Sequence, residues 1–308
     1  MAMNKRQKKY LGPNPPSCIW TDKLFKPLHP LPPPGSLGDY EVDDEQSFAE
    51  FKEMGKRNPN AEGTGRWKLT PQRRKIGVLH LPDRGARADS AAAARTAQNL
   101  EDFAQLLRAY VGLETEVLSP TGGDALALDV ARGTLRTQGY EYSIARWTRP
   151  GGGGDGRPAL NVFHLFDALA PHAAPPYLAL IAFVDAPLGE PEEEDDDEGE
   201  QGGARRPPPP PYREVLGRAC GDRVACVALP EHADLRELFA TAAHEALHTL
   251  GFDHCTTWAC LMNPSGCARP CLTLSPLNLR KLLLLHGVRE EGAGARWWLA
   301  RRYAAVAA

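Results

Sequence analysis

The sequence predicts a mixed α/β fold of the α+β kind, with one prominent helix late in the chain and a small subdomain after it. Three observations carry that prediction. Residues 76–81 and 114–118 are short β-type runs flanking an Ala-rich stretch at 91–111 with helical spacing, the strand–helix–strand order of a βαβ unit in a mixed sheet. Residues 177–185 and 224–229 are nearly continuous apolar runs, as expected of strands buried on both faces. Within 233–250, Leu235, Leu238, Phe239, Ala242, Ala246 and Leu250 fall on one side of a helix.

A chain of 308 residues is long enough to bury a sizeable core in one or two domains. Its 29 Gly and 28 Pro lower the apolar fraction to 42%, so the folded part is expected to be smaller than the whole. A net charge of −3 argues against a nucleic-acid partner. No apolar run approaches the roughly 20 residues that span a membrane. The basic start lacks an apolar core of a secretory signal, and seven cysteines without one read as thiols and metal ligands. An intracellular, cytoplasmic chain is expected. Residues 5–9 are either a nuclear-import patch or a solvated basic end.

In chain order, residues 1–70 read as an irregular Pro-rich arm, apart from a short amphipathic helix at 46–54 with Phe48 and Phe51 as its apolar points. The folded domain is expected over 75–286. Its first strand, 76–81, stops at Pro82, and His80 reads as a core or strand-end residue. The 91–111 helix sets Leu100, Phe103, Ala104, Leu107 and Tyr110 or Val111 toward the core and stops at Gly112. Residues 126–138 read as another helix and 161–166 as a strand. The glycine loop at 151–156 lacks the pattern of a phosphate cradle. His164 and His172 read as structural. Residues 189–211, with nine acidic residues between 190 and 200 and five prolines at 207–211, are expected to form a disordered insertion. Cys220 and Cys226 read as free thiols in or near the core, one of them still open to a metal site. A last apolar helix is expected at 277–285, capped near Ser275 and Pro276, followed by a tail over 287–308.

The chemistry concentrates after the prominent helix begins. His244 and His248 are four apart, so both face one side of a helix and can bind one zinc at about 2.0–2.1 Å. Glu245 lies beside them as a general base for a metal-activated water. Gly251 can end the helix in left-handed geometry and turn the chain back, which brings in His254 as a third ligand. Three imidazoles leave a fourth coordination position open, as in catalytic zinc sites. HExxHxxGxxH is a far more specific pattern than HExxH alone.

Residues 244–254 resemble the metzincin zinc signature, and Met262 stands where that clan has its Met-turn methionine. Cys255, directly after the third His, and Cys260 make the chain similar to the archaemetzincin family. The resemblance implies a metzincin-like zincin: a mixed sheet, an active-site helix and a small C-terminal Met-turn and cysteine subdomain. It also implies a zinc-dependent peptidase acting on a peptide or protein substrate, with a second, structural zinc on Cys255, Cys260 and a later Cys-x-x-Cys pair. The chain departs from the family at that pair, where Arg280 and Leu283 stand instead. Cys267 and Cys271 lie nearer and could replace it; disulfide or free thiols, or an incomplete site, are the alternatives. Beside the peptidase stand two other readings. One is a catalytically silent zinc protein interacting through its Pro-rich arm, the other a different zinc hydrolase chemistry such as deamidation. Oligomeric state, substrate, and the choice between exo- and endopeptidase leave no signature.

Overall fold

The computed structural model describes residues 5–12, 45–54, 69–85, 90–118, 126–137, 139–148, 157–192, 212–220, 223–229, 234–264, 272–288 and 293–307. The fold is mixed α/β. Its centre is a five-stranded sheet in the order β11 (Gly217–Cys220), β12 (Val224–Ala228), β8 (Tyr177–Val184), β1 (Lys75–Leu81), β2 (Glu114–Leu118). All neighbours run parallel except β11, which pairs antiparallel with β12. The side chains of β8 alternate between two apolar layers. Leu178, Ile181 and Phe183 enter one, while Leu180, Ala182 and Val184 enter the other. Both faces of the sheet are therefore covered, which is why its strands read as continuous apolar runs.

The first layer holds α3 (Ser90–Val111) and α5 (Leu235–Thr249), the helix expected at 233–250. Phe103, on α3, meets Phe183 edge-on at 5.0 Å between ring centres. The second layer holds α4 (Val162–Leu169) and two smaller sheets. One of these is antiparallel, β3 (Ala127–Asp129), β4 (Thr134–Thr137) and β5 (Tyr140–Ser143). The other has the order β10 (Tyr212–Val215), β9 (Leu188–Pro191), β7 (Ala159–Asn161), β6 (Arg146–Trp147).

Several expectations are corrected here. The helix expected at 126–138 is the β3–β4 hairpin: Leu126, Leu128 and Val130 recur with a period of two, and all are buried. The strand expected at 161–166 lies instead at 159–161, and residues 162–166 are helical. The side chain of Asn161 then accepts from the N–H of Phe163 and His164 and starts α4. The insertion starts later than position 189, because residues 188–191 pair with 212–215; residues 193–211 lie outside the described residues. The arm is not irregular throughout. It forms α1 (Lys5–Leu11), with Tyr10 and Leu11 buried, and α2 (Phe48–Met54), where Phe48 and Phe51 are buried as expected. Among the described residues, no helix is long and apolar enough to cross a membrane.

The last apolar helix, α6 (Pro276–Leu285), starts at Ser275, whose hydroxyl accepts from the Asn278 N–H. It is buried nearly all round because α1 and α2 wrap it. The guanidinium of Arg280 lies 3.9 Å from the Phe48 ring centre and donates to the Leu11 carbonyl. The tail is helical as α7 (Ala293–Ala307) and packs on α3.

Candidate metal centre

Helix α5 carries two of the three histidines. The Asp234 carboxylate accepts from the Glu237 N–H at 2.8 Å and fixes the helix start. His244 and His248 then project from one face. Each is oriented by its second ring nitrogen: Nδ1 of His244 donates to the Leu261 carbonyl at 2.8 Å, and Nδ1 of His248 to the Phe252 carbonyl at 2.7 Å. Backbone acceptors so placed fix the tautomer and leave both Nε2 atoms with lone pairs. Those Nε2 atoms face each other at 3.0 Å.

Gly251 has φ = +81°, the left-handed geometry expected of it, and the chain turns back there. The turn brings His254 to the other two rings, with centres 5.2 Å from His244 and 4.8 Å from His248. One nitrogen from each of the three lies within 4.8 Å of the others, a set that could hold a metal ion. Burial holds the pKa of His244 below its usual range. For His248 burial acts together with the two neighbouring rings and the drop is larger. His254 is pushed down to about 3 by burial, then by His244 and Arg218. All three are neutral near pH 7, the form that donates to a metal. Two lone pairs aimed at each other across 3.0 Å repel unless a cation lies between them, so the donor set fits zinc.

Glu245 is buried on the neighbouring face. Burial pushes its pKa up to about 8, against the attraction of Arg218 and the N–H of Ala219. The antiparallel outer strand β11 passes directly beside it: a Cβ on Gly217 would stand 2.9 Å from the Glu245 Cγ. Arg218 is held in turn by Glu190, 3.0 Å from its Nε, and Glu190 also pairs with Arg213.

Met262 is the residue that the resemblance would put at a Met-turn. Met262 is fully buried, and its carbonyl accepts from the Cys255 N–H at 2.6 Å, while the Leu261 carbonyl orients His244. Sequence reasoning missed Asn263. Its amide donates to the Cys255 carbonyl (2.5 Å) and the Trp258 carbonyl (2.8 Å), and its oxygen accepts from the Cys260 N–H (2.9 Å). No spacing pattern marks an Asn for such a role. Glu45 and Gln46, which also reach this turn, were equally invisible.

Cys255 and Cys260 are buried free thiols that interact with one another. Asn278 donates to the Cys260 sulfur at 3.8 Å. Cys267 and Cys271 lie outside the described residues. Arg280 and Leu283, which stand where the resemblance would put a later cysteine pair, are buried on α6. Cys226 is a buried thiol of β12, as expected. Half-buried His80 lies in β1, and His164 accepts from the Ala145 N–H through Nδ1 at 3.1 Å, a structural role.

No family model matches this chain, and no curated protein matches it. Among solved structures it is similar to an archaemetzincin from Methanopyrus kandleri. The match covers 76% of this chain and 97% of that one, at 15% identity and a TM-score of 0.38.

Proposed function

We propose that the chain is a zinc-dependent metallopeptidase of metzincin type, with one zinc held by His244, His248 and His254. The observation that carries this reading is the convergence of three neutral imidazoles, two of them fixed by backbone carbonyls so that their Nε2 atoms share one point. When bound, zinc supplies Lewis acidity toward a water and an amide carbonyl.

The rest falls to the chain itself. Glu245 takes the proton from the attacking water and later passes it to the leaving amine. Its burial keeps competing water away, and the charge of a bound zinc beside it would favour the carboxylate form that accepts the proton. Strand β11 ends the sheet order beside Glu245, and an extended peptide laid along that edge would bring a backbone carbonyl to the metal. Such main-chain pairing is indifferent to side chains, so it fits a peptide or protein substrate better than a small amide.

We assign no second zinc to the thiols. Among the described residues, Cys255 and Cys260 supply two donors here, while four thiolates make the usual structural site. The ammonium of Lys281 is fully buried in the same region, with no hydrogen-bond partner among the described residues, and its charge opposes a second cation. The same departure favours the second reading, a silent zinc-binding interaction protein of this fold.

Cleavage of a broad peptide library by the zinc-loaded chain and by Glu245→Gln separates the two. The peptidase reading expects the variant to keep its zinc and lose activity by at least ~10²-fold, the lower end of what a general base contributes. A wild-type chain that binds zinc and cleaves nothing leaves the interaction reading standing.

A further inference from the structure

The third histidine does not sit on the rigid helix; it rides on the turn that follows. That turn is bracketed from outside by two adjacent residues at the start of α2. At one end, the amide of Gln46 donates to the carbonyl of Gly251 at 3.2 Å, across 205 residues of chain. At the other, the carboxylate of Glu45 accepts from the hydroxyls of Thr256 (3.3 Å) and Thr257. Arg6, from α1, donates to the same Thr256 hydroxyl at 2.7 Å. Between these ends lie Phe252, which packs edge-on against Phe51 at 5.1 Å, and His254.

These contacts are not those of a surface arm resting on the domain. Glu45 is only 3% exposed and Gln46 only 8%. Burying a carboxylate is costly unless hydrogen bonds and a counter-charge meet it, and here two threonine hydroxyls and the attraction of the buried Lys281 do so. Docking through Phe48, Phe51 and Leu11 alone would need neither polar group. The bonds go to residues three before and two to three after His254, so they restrain the segment that decides where its ring points.

We infer that Glu45 and Gln46 are positioning residues for the metal site, a clamp that closes both ends of the turn carrying His254. The inference rests on the reading of His254 as a zinc ligand. Groups of this kind, which hold a ligand without touching the metal, change metal affinity by about 10–100-fold when removed. The clamp thus links the N-terminal arm to metal retention.

The test uses the full chain. Zinc affinity is measured by competition with a chromophoric chelator, and the visible spectrum of the cobalt-substituted protein reports coordination geometry. The double variant Glu45→Ala/Gln46→Ala is expected to bind zinc ~10–100-fold more weakly and to lose the intense four-coordinate cobalt bands. Glu45→Gln, which keeps an acceptor oxygen facing the threonines, is expected to recover most of the affinity. Thr257→Val removes the bond from the other side without disturbing the arm; it covers the event that the double variant does not fold. Its effect on zinc affinity should vanish in a Glu45→Ala background, since both changes delete one bond. Wild-type affinity and an unchanged cobalt spectrum in the Glu45→Ala/Gln46→Ala double variant, or strictly additive losses in that cycle, would overturn the clamp. A wild-type chain that takes up no zinc would instead overturn the peptidase reading on which it rests.

Discussion

Two clusters of metal-ligating residue types share one short stretch of chain, and they have fared differently. The three histidines converge; of the cysteines that follow, Cys255 and Cys260 lie together among the described residues, and Cys267 and Cys271 fall outside them. The histidine set is built on one helix and one turn, so a spacing of four and a left-handed glycine nearly suffice to assemble it. A four-cysteine set of the kind the resemblance implies would draw its second half from the later helix α6. On that helix, Arg280 and Leu283 now serve packing, and the charge of Lys281 lies among the aromatic rings of Phe51 and Phe252 at 5.6 and 5.8 Å.

The comparison is broken most severely by removing a histidine from α5. His248→Ala is expected to lower zinc affinity by more than the ~10–100-fold typical of supporting groups, as read by chelator competition. Retention of wild-type affinity would mean that the convergence is not a metal site. Next in size is a change that spares the ligands. Gly217→Val places side-chain atoms where even a Cβ meets the Thr241 Cγ2 at 2.8 Å and the Glu245 Cγ at 2.9 Å. It should leave zinc bound and reduce peptide cleavage by about 10²-fold, the scale of a misplacement near 1 Å. Equal activity would detach β11 and Glu245 from the chemistry. Smallest is Cys260→Ser, which puts a hydroxyl into the thiol's buried place. The expected result is one zinc per chain before and after, with stability lower by about 1–3 kcal/mol in denaturant unfolding. Loss of a zinc in that variant, by elemental analysis, would show that the cysteines hold a second ion.

Much of the sheet was legible because each strand carries its own signal. The runs at 76–81, 177–185 and 224–229 are apolar on both faces, and the structure buries them between two layers. The stretch at 127–137 reads as helix because its Leu and Ala residues are good helix formers, a local propensity that outweighs the recurrence of Leu126, Leu128 and Val130 at every second position. Asn161 does end a strand, but residues 162–166 are helix instead, because Asn is a strong helix starter and its side chain performs that role. At the candidate site, the histidines and Glu245 announced themselves by spacing. Glu45, Gln46 and Asn263 did not, since a hydrogen bond to a backbone carbonyl asks for no particular pattern. Position 45 gains its meaning only from Thr256 and Thr257, 211 and 212 residues away.

That separation bears on how the molecule is made. A chain emerging from the ribosome at about 5–20 residues per second exposes Gln46 roughly 10–40 s before Gly251, its acceptor, exists. Leu11 must wait still longer for Arg280. Through that interval the bonds from the arm to the last part of the chain cannot form. The arm can seat itself only after nearly everything else has been translated.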